Sequence, residues 1–376
     1  MEEYGNKEAI IKIMRLLGFK TFDLYIIRKF LGTFFFAILL IVCIAMVFDF
    51  SEKIDDFLEN NAPFKDIIFD YYLNFMPFFA VLFSPMFTFV AVIYFTSRMA
   101  YNTEIIAIIS SGVSFHRLLI PYFFCAVIIT IFSFVLNNYI IPRANEKRLA
   151  FEENYYRNAP IYRKRNVHKQ IEPGVYVYLE NFNVSNNYGL RFSIEKYDDG
   201  KLVSKLLSDD IRWDSAKSKW IIRNYYIRNF DGDKQTITTG RIIDTAINMY
   251  PEEFRRRKGD VQAMGLRELN SYIETQKIQG EPNVDELLIE KYKRFSFPFS
   301  SFILTLIGIS VSSRKSKGGI GVHIGIGLLV SFTYIFFMQF SAEFSKSGAF
   351  PPLIAAWIPN IIFAFVAGFL YKLAPK

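Results

Sequence analysis

The chain has 376 residues, of which 52% are hydrophobic and 18% are aromatic, and its mean hydropathy is +0.20. A water-soluble protein of this size seldom carries so much apolar material, so the composition indicates a membrane protein. The formal net charge is +8. Much of the excess Lys and Arg flanks apolar stretches, where membrane topology accounts for it, so the charge does not call for a nucleic-acid partner.

Six apolar stretches are long enough to cross a bilayer, which takes roughly 20 residues as helix because the hydrocarbon offers the backbone no water. They are Phe30–Phe48, Tyr71–Phe95, Leu118–Leu136, Phe295–Val311, Ile320–Phe340 and Leu353–Leu370. We predict an α-helical polytopic membrane protein with six transmembrane helices. Helices 1–3 fall in residues 30–141 and helices 4–6 in residues 291–376, a 3+3 arrangement.

The short loops differ in their content of Lys and Arg, which are retained on the cytoplasmic side during insertion. The loops on one side carry Lys7, Lys12, Arg15, Lys20, Arg28, Lys29, Arg98, Arg117, Arg314, Lys315, Lys317, Lys372 and Lys376. The short loops on the other side carry Lys53, Lys65 and Lys346. Both termini, including the segment 1–29, are therefore predicted to be cytoplasmic.

The cytoplasmic loop between the second and third stretches, "SRMAYNTEIIAIISSGVSFHR", is longer than a simple turn. It predicts a short apolar helix near 102–112, with Glu104 in its first turn and Gly112 as its stop. A helix with an apolar side and a leading acid is suited to docking in a groove of another protein. The alternative is that this helix rests on the membrane surface.

Residues 142–290 contain no spanning stretch and are numerous enough for a folded domain. In "LRFSIEKY", Leu190, Phe192 and Ile194 alternate with polar residues, as in a half-buried strand. Other segments are rich in β-branched and aromatic residues, and "DSAKSK" after Trp213 is predicted to be a hairpin loop. We predict an inserted extracytoplasmic antiparallel β domain, jelly-roll-like, with a helical C-terminal part.

"SSRKSKGGIGVHIGIG" (312–327) places glycines behind three cations, as a phosphate-binding loop does. Such a loop needs a strand before it and a soluble helix after it, whereas apolar residues follow here. Gly321 and Gly325 lie one helical turn apart and present a strip of small residues, and Gly327 lies in the same segment. This pattern favours close packing against another membrane helix over nucleotide binding.

The sequence contains no recognisable catalytic or metal-binding constellation. Its three histidines are scattered, and H-E-x-x-H, C-x-x-C and G-x-S-x-G are all absent. We therefore expect no enzyme activity, cofactor or metal in this chain. A secondary carrier stays open, although its spans would usually contain ionisable residues, which are scarce here. A membrane-anchored sensor with a ligand-binding β domain and an integral membrane enzyme are further alternatives.

Three spans, an external β domain and three further spans, with the short cytoplasmic helix, resemble the LptF/LptG permease family of the lipopolysaccharide exporter. The resemblance covers nearly the whole chain. "TEIIAIISSGVSFHRLLIP" is similar to the family's coupling helix. "IGVHIGIGLLVSFTYIFFMQF", "GAFPPLIAAWIPN" and "FDLYIIRKFLGTFF" are similar to the fifth helix, the sixth helix and the start of the first helix in the LptG branch. The LptG branch is therefore favoured over the LptF branch.

The resemblance implies a transporter subunit of the bacterial inner membrane. Its partners would be a second LptF/LptG-type permease, a dimer of LptB-type ATPases below the coupling helices, and an LptC-type membrane-anchored protein. Lipopolysaccharide would leave the outer leaflet through a lateral gate and pass the periplasmic β-jellyroll. The residues expected to couple to the ATPase are Glu104, Ile105, Ile108 and Gly112, and those expected on the gate helix are Gly321, Gly325 and Gly327.

One stretch departs from the pattern of the LptG branch, in which several basic residues near the outer end of the first helix meet the acidic headgroup of the substrate. Here "DFSEKIDDFLEN" keeps only Lys53. Three explanations stay open: a substrate with fewer phosphates, divalent cations that bridge acid to phosphate, or charge supplied from above the fourth helix by Lys291, Lys293 and Arg294. These four cations are the candidate headgroup residues.

Overall fold

The computed structural model describes residues 20–155, 163–232, 234–255, 258–281, 284–313 and 319–374. Its helices are α1 (Thr21–Glu59), α2 (Phe64–Tyr101), α3 (Glu104–Ser110), α4 (Phe115–Tyr155), α5 (Pro251–Arg255), α6 (Leu266–Ile278), α7 (Val284–Ser312), α8 (Gly319–Lys346) and α9 (Pro352–Leu373). Most of the N-terminal segment 1–29 and the cations Arg314, Lys315 and Lys317 lie outside the described residues.

The six predicted spans are confirmed as helices long and apolar enough to cross a membrane: α1, α2, α4, α7, α8 and α9. Each is longer than the apolar stretch that predicted it. The first continues through the polar segment 51–59, and the third continues to Tyr155. Hydropathy identifies only the part of a helix that can lie in the hydrocarbon core of the bilayer. The backbone hydrogen bonds of the helix can continue beyond that part until a residue interrupts them.

The chain divides into two compact units, Met1–Phe151 with Leu288–Lys376 and Glu152–Leu287. In the first unit, α1 packs against α2 and α4 with one face. Ile26, Phe30, Phe34 and Ile38 recur every fourth residue on this face and are buried. This spacing places them in one row along the helix, which explains how an apolar helix can bury one side and expose the other.

Irregular turns interrupt the long helices and leave some backbone carbonyl groups without a partner in the helix. Side chains of neighbouring helices form hydrogen bonds with these carbonyl groups. Around Pro298, α7 passes through a short 3₁₀ turn. The Pro298 carbonyl accepts a hydrogen bond from the Thr130 hydroxyl of α4 at 3.1 Å, and the Ser296 carbonyl accepts one from the Asn360 amide of α9 at 2.7 Å. Backbone groups at membrane depth need such partners, so these bonds tie α4, α7 and α9 together.

The second unit contains a six-stranded antiparallel sheet, which confirms the predicted β insertion. Its strands are β1 (Arg163–Glu172), β2 (Val175–Asn183), β3 (Tyr188–Asp198), β4 (Lys201–Asp214), β5 (Lys219–Asp231) and β6 (Lys234–Thr245). Strands adjacent in the sheet are adjacent in the chain. The β4–β5 turn is the predicted "DSAKSK" hairpin, closed by the pair Trp213 and Trp220.

One face of the sheet carries the core of this unit. Leu179, Phe192, Ile211 and Trp220 are fully buried, and the Trp220 indole N–H donates to the Met249 carbonyl at 2.7 Å. A Trp side chain is buried without penalty only when its N–H finds such an acceptor. The segment after β6 therefore closes the core, and α5 and α6 follow it.

Candidate functional site

The short helix α3 lies between the second and third spans, where the sequence predicts it. It has seven residues, fewer than the predicted 102–112, because the backbone turns sharply at both ends. Thr103 adopts a left-handed conformation (φ 61°) before the helix, and Gly112 has φ 86° after it. A residue with a Cβ rarely adopts such a φ, so Gly112 fits the predicted role of a stop.

The side chains of α3 divide into a buried and an exposed set. Ile105 is 1% exposed and belongs to the core formed with α1, α2 and α4, against which Ile108 is partly buried. Ile106 is 54% exposed. Glu104 is half-buried, and its carboxylate accepts a hydrogen bond from the Asn102 amide at 3.3 Å. The helix is therefore anchored by Ile105. Ile106, which is not among the expected coupling residues, is exposed on the surface of the bundle.

An ion pair holds the segment after α3 to the first span. Asp23, fully buried at the start of α1, accepts two hydrogen bonds from the Arg117 guanidinium of α4, at 2.7 and 2.5 Å. Asp23 also accepts from the Lys20 backbone N–H at 2.7 Å. Bidentate Arg–carboxylate pairs fix geometry as well as charge. Sequence reasoning missed this pair, although both residues are charged and lie at predicted cytoplasmic helix ends.

The glycines of α8 do not share one environment. Gly321 and Gly325 are exposed, and a Cβ added to either would meet no atom within 4 Å. Gly327 is buried, and a Cβ there would come within 2.7 Å of the Ile93 Cδ1 of α2. Gly308 of α7, missed by sequence reasoning, packs in the same way, 2.8 Å from Val92 Cγ1. Gly327 and Gly308 therefore allow close packing inside the chain, while Gly321 and Gly325 leave an open strip.

The candidate headgroup cation of α1 has partners of its own. The Lys53 ammonium is 2.7 Å from the Asp49 carboxylate, bonds to the Tyr71 hydroxyl and is 14% exposed. Its positive charge is thus largely compensated by Asp49.

The candidate cations of α7 also differ in exposure. Arg294 is 4% exposed, with Nε 3.5 Å from Glu290. Lys293 donates to the Gln339 side chain of α8 at 3.3 Å, and Lys291 lies over the Tyr292 ring. Arg294 is therefore the least accessible of the three, while Lys291 and Lys293 are half-buried.

Among the residues that the structure describes, no group of His, Cys, Asp and Glu is arranged to hold a metal ion. The arrangement is one of contact surfaces: an exposed apolar residue on α3, an open glycine strip on α8, and cations at helix ends. Surfaces of this kind offer packing and charge to other chains or to lipids.

Comparison with known proteins decides among the classes of membrane protein that this geometry allows. The family model of the lipopolysaccharide export system permease LptF/LptG matches residues 24–373. The chain belongs to the LptF/LptG family. The match includes α3, the whole β insertion and the six spans. No curated protein matches the chain. As a member of the LptF/LptG family, the chain is a permease subunit and not a catalytic enzyme, and the match does not separate the LptF branch from the LptG branch.

Proposed function

We propose that this LptF/LptG-family chain is the permease subunit of an ABC exporter that extracts lipopolysaccharide from the outer leaflet of the inner membrane. The observation that carries the proposal is the family match over residues 24–373. The β domain is then periplasmic and both termini are cytoplasmic, which the distribution of Lys and Arg supports. Lipopolysaccharide passes from the β domain to a periplasmic bridge towards the outer membrane.

The proposed energy source is a dimer of LptB-type ATPases that binds α3 from the cytoplasm. Glu104 and the exposed Ile106 are the contact residues, and Ile105 and Ile108 hold α3 on the bundle so that its movement is transmitted to the spans. Asp23 and Arg117 link the chain after α3 to α1. A displacement of α3 can therefore be transmitted through this ion pair to α1.

The proposed lateral gate lies between this chain and a second LptF/LptG-type permease. Of the six spans, α1 and α8 have the smallest buried share within the chain, 22% and 28%. Large side chains such as Phe48 and Leu329 are 73% and 68% exposed on them. These open faces and the Gly321–Gly325 strip are suited to a helix contact that forms and parts. An LptC-type protein is the proposed third membrane partner.

Among the candidate headgroup cations we favour Lys291 and Lys293, because Lys53 is paired with Asp49 and Arg294 is buried beside Glu290. A paired or buried cation has little charge left for a phosphate of the substrate. Lys291 and Lys293 are the two candidate cations of α7 that are only half-buried.

Gentle purification of the tagged chain from its native membrane, with mass spectrometry of what accompanies it, tests the proposal. We expect an ATPase dimer and a second six-helix permease. A chain that came out alone, stable and without an ATPase would contradict the proposal and favour a carrier or a sensor. A tagged, unrelated inner-membrane protein purified in the same detergent is the control for carry-over.

A further inference from the structure

A pocket of about 690 Å³ lies on the outside of the bundle at the start of the first span. It is lined mainly by α1, with Tyr94 contributed by α2. The lining positions on α1 are 25, 28, 29, 32, 33, 36 and 37, which recur at intervals of three and four. They therefore form one stripe of the helix, on the side away from the buried row that begins at Ile26.

The polar end of this pocket carries two positive charges. Arg28 and Lys29 are exposed neighbours, and no residue that the structure describes forms an ion pair with either. The nearby arginine Arg117 is, by contrast, neutralised by Asp23. Two adjacent cations that no described carboxylate neutralises attract an anion, and a phosphate group offers them several strong acceptor oxygens.

The pocket changes from polar to apolar along the helix. Arg28 and Lys29 come directly before the apolar stretch that begins at Phe30, and Tyr25 and Tyr94 add phenol groups of the kind that collect at the headgroup level. Ala37 lies nine residues after Arg28, which is about 13 Å along a helix. The pocket therefore runs from the headgroup level into the hydrocarbon, a shape that fits an amphiphile better than a free ion.

Gly32 opens the middle of this pocket. A Cβ added there would meet no atom within 4 Å, so the space beside it belongs to no side chain of the described structure. Phe36, 66% exposed, continues the apolar side one turn further. A hydrocarbon chain can lie along Gly32 and against Phe36 without any change in the packing of the bundle.

We propose that this pocket binds an anionic phospholipid of the cytoplasmic leaflet, with its phosphate between Arg28 and Lys29 and the start of an acyl chain along Gly32 and Phe36. The leaflet assignment rests on the orientation given under the proposed function. Basic pockets beside spans on the cytoplasmic side are the usual way in which proteins hold anionic headgroups. The site lies at the opposite end of the apolar stretch of α1 from Lys53.

Lipid binding to the full-length chain in detergent tests this proposal by native mass spectrometry. The probes are short-chain phosphatidylglycerol, short-chain phosphatidylcholine and inorganic phosphate. We expect phosphatidylglycerol to bind preferentially and phosphate alone not to compete with it. The R28Q/K29Q variant should lose about 25-fold of the preference for phosphatidylglycerol, about fivefold for each cation. Gly32→Leu, which keeps both cations but fills the pocket, should reduce phosphatidylglycerol binding as well.

Lys20 and Lys372 supply the matched control, because both are exposed and lie at the same membrane side outside the pocket. The K20Q/K372Q variant removes the same total charge and should keep the lipid preference. An unchanged preference in R28Q/K29Q would overturn the proposal, as would equal competition by inorganic phosphate. Loss of a co-purifying permease from R28Q/K29Q, without loss of lipid preference, would assign the surface to a protein contact instead.

The lipid titration and the purification test of the exporter can fail independently. The titration requires neither an ATPase nor a second permease, so its result is readable even for a chain that is purified alone. A chain that assembles with an ATPase but shows no lipid preference would overturn only the pocket assignment.

Discussion

At the scale of single residues, Ile105 and Ile106 have the same side chain and opposite environments, 1% and 54% exposed. Ile105→Ala should destabilise the chain by about 2–4 kcal/mol, since it opens a cavity in the bundle. Ile106→Ala should change stability by less than about 0.5 kcal/mol, yet lower the stimulation of the bound ATPase, because it removes an exposed apolar contact. Thermal unfolding in detergent and ATPase assays in proteoliposomes separate the two effects. Equal ATPase stimulation in wild type and Ile106→Ala would contradict the assigned contact.

The acid that leads α3 gives a second prediction. Glu104→Lys should abolish ATPase stimulation while membrane insertion stays normal, because Glu104 is only half-buried and its partners are the side chains of Asn102 and Tyr25. In the proposed contact, charge reversal would turn an attraction between Glu104 and a cation of the ATPase into a repulsion. The control is Glu59→Lys, which reverses the charge of an exposed residue at the C-terminal end of α1. Unchanged ATPase activity in proteoliposomes would refute the role of Glu104.

The buried pair of Asp23 and Arg117 gives a third prediction. Asp23→Ala removes both hydrogen bonds to a guanidinium that is 28% exposed, so the loss should be about 2–3 kcal/mol, below the value for a fully buried pair. The double variant Asp23→Ala/Arg117→Ala should lose less than the sum of the two single variants, because the partners act as one unit. The measurement is thermal unfolding in detergent. Additive losses would show that the two side chains do not interact.

At the scale of elements, the glycines of α8 allow one substitution to be compared at two environments. Gly327→Leu should destabilise the chain by about 1–3 kcal/mol, because its Cβ would come within 2.7 Å of Ile93. A Cβ added at Gly321 meets no atom within 4 Å, so Gly321→Leu should leave stability nearly unchanged, yet impair export by holding the gate helices apart. Unfolding in detergent and a lipopolysaccharide export assay give the two readouts. Normal export in Gly321→Leu would leave this glycine without a role in the gate.

The sequence predicts the elements better than it predicts their contacts. Long apolar runs identify all six spans, since the bilayer sets a minimum length. The polar part of α1 that follows Phe48 has no hydropathy signal, so its helical structure is not predicted. Alternation in β3 predicts its strand but not the environment of each residue, since Phe192 is buried as expected whereas Leu190 is 44% exposed and Ser193 is buried. The Asp23–Arg117 pair and the packing of Gly308 depend on how distant segments meet in space, which a local pattern does not encode.

At the scale of the whole molecule, the spans differ in how much of each the chain itself covers. The second and fourth spans, α2 and α7, have the largest buried shares, 56% and 61%, and form the interior of the bundle. The first and fifth, α1 and α8, are the least covered. The hydrophobic effect does not drive helices together within lipid, so a span associates with another helix only through close packing at small residues or through polar contacts. In the proposed function, these exposed spans are the ones that a second permease and the transported lipid would contact.

This difference predicts which face meets the substrate. A photo-crosslinking amino acid at Phe48, 73% exposed at the outer end of the apolar stretch of α1, should capture lipopolysaccharide during ATP-driven export. The same group at Leu353, 51% exposed at the start of α9, should capture only bulk phospholipid, because α9 lies outside the proposed gate. Both sites are apolar, exposed and at the same predicted membrane side, so the comparison isolates the gate from general lipid contact. Equal capture of lipopolysaccharide at the two positions, or capture at Leu353 alone, would contradict the assignment of the gate to α1.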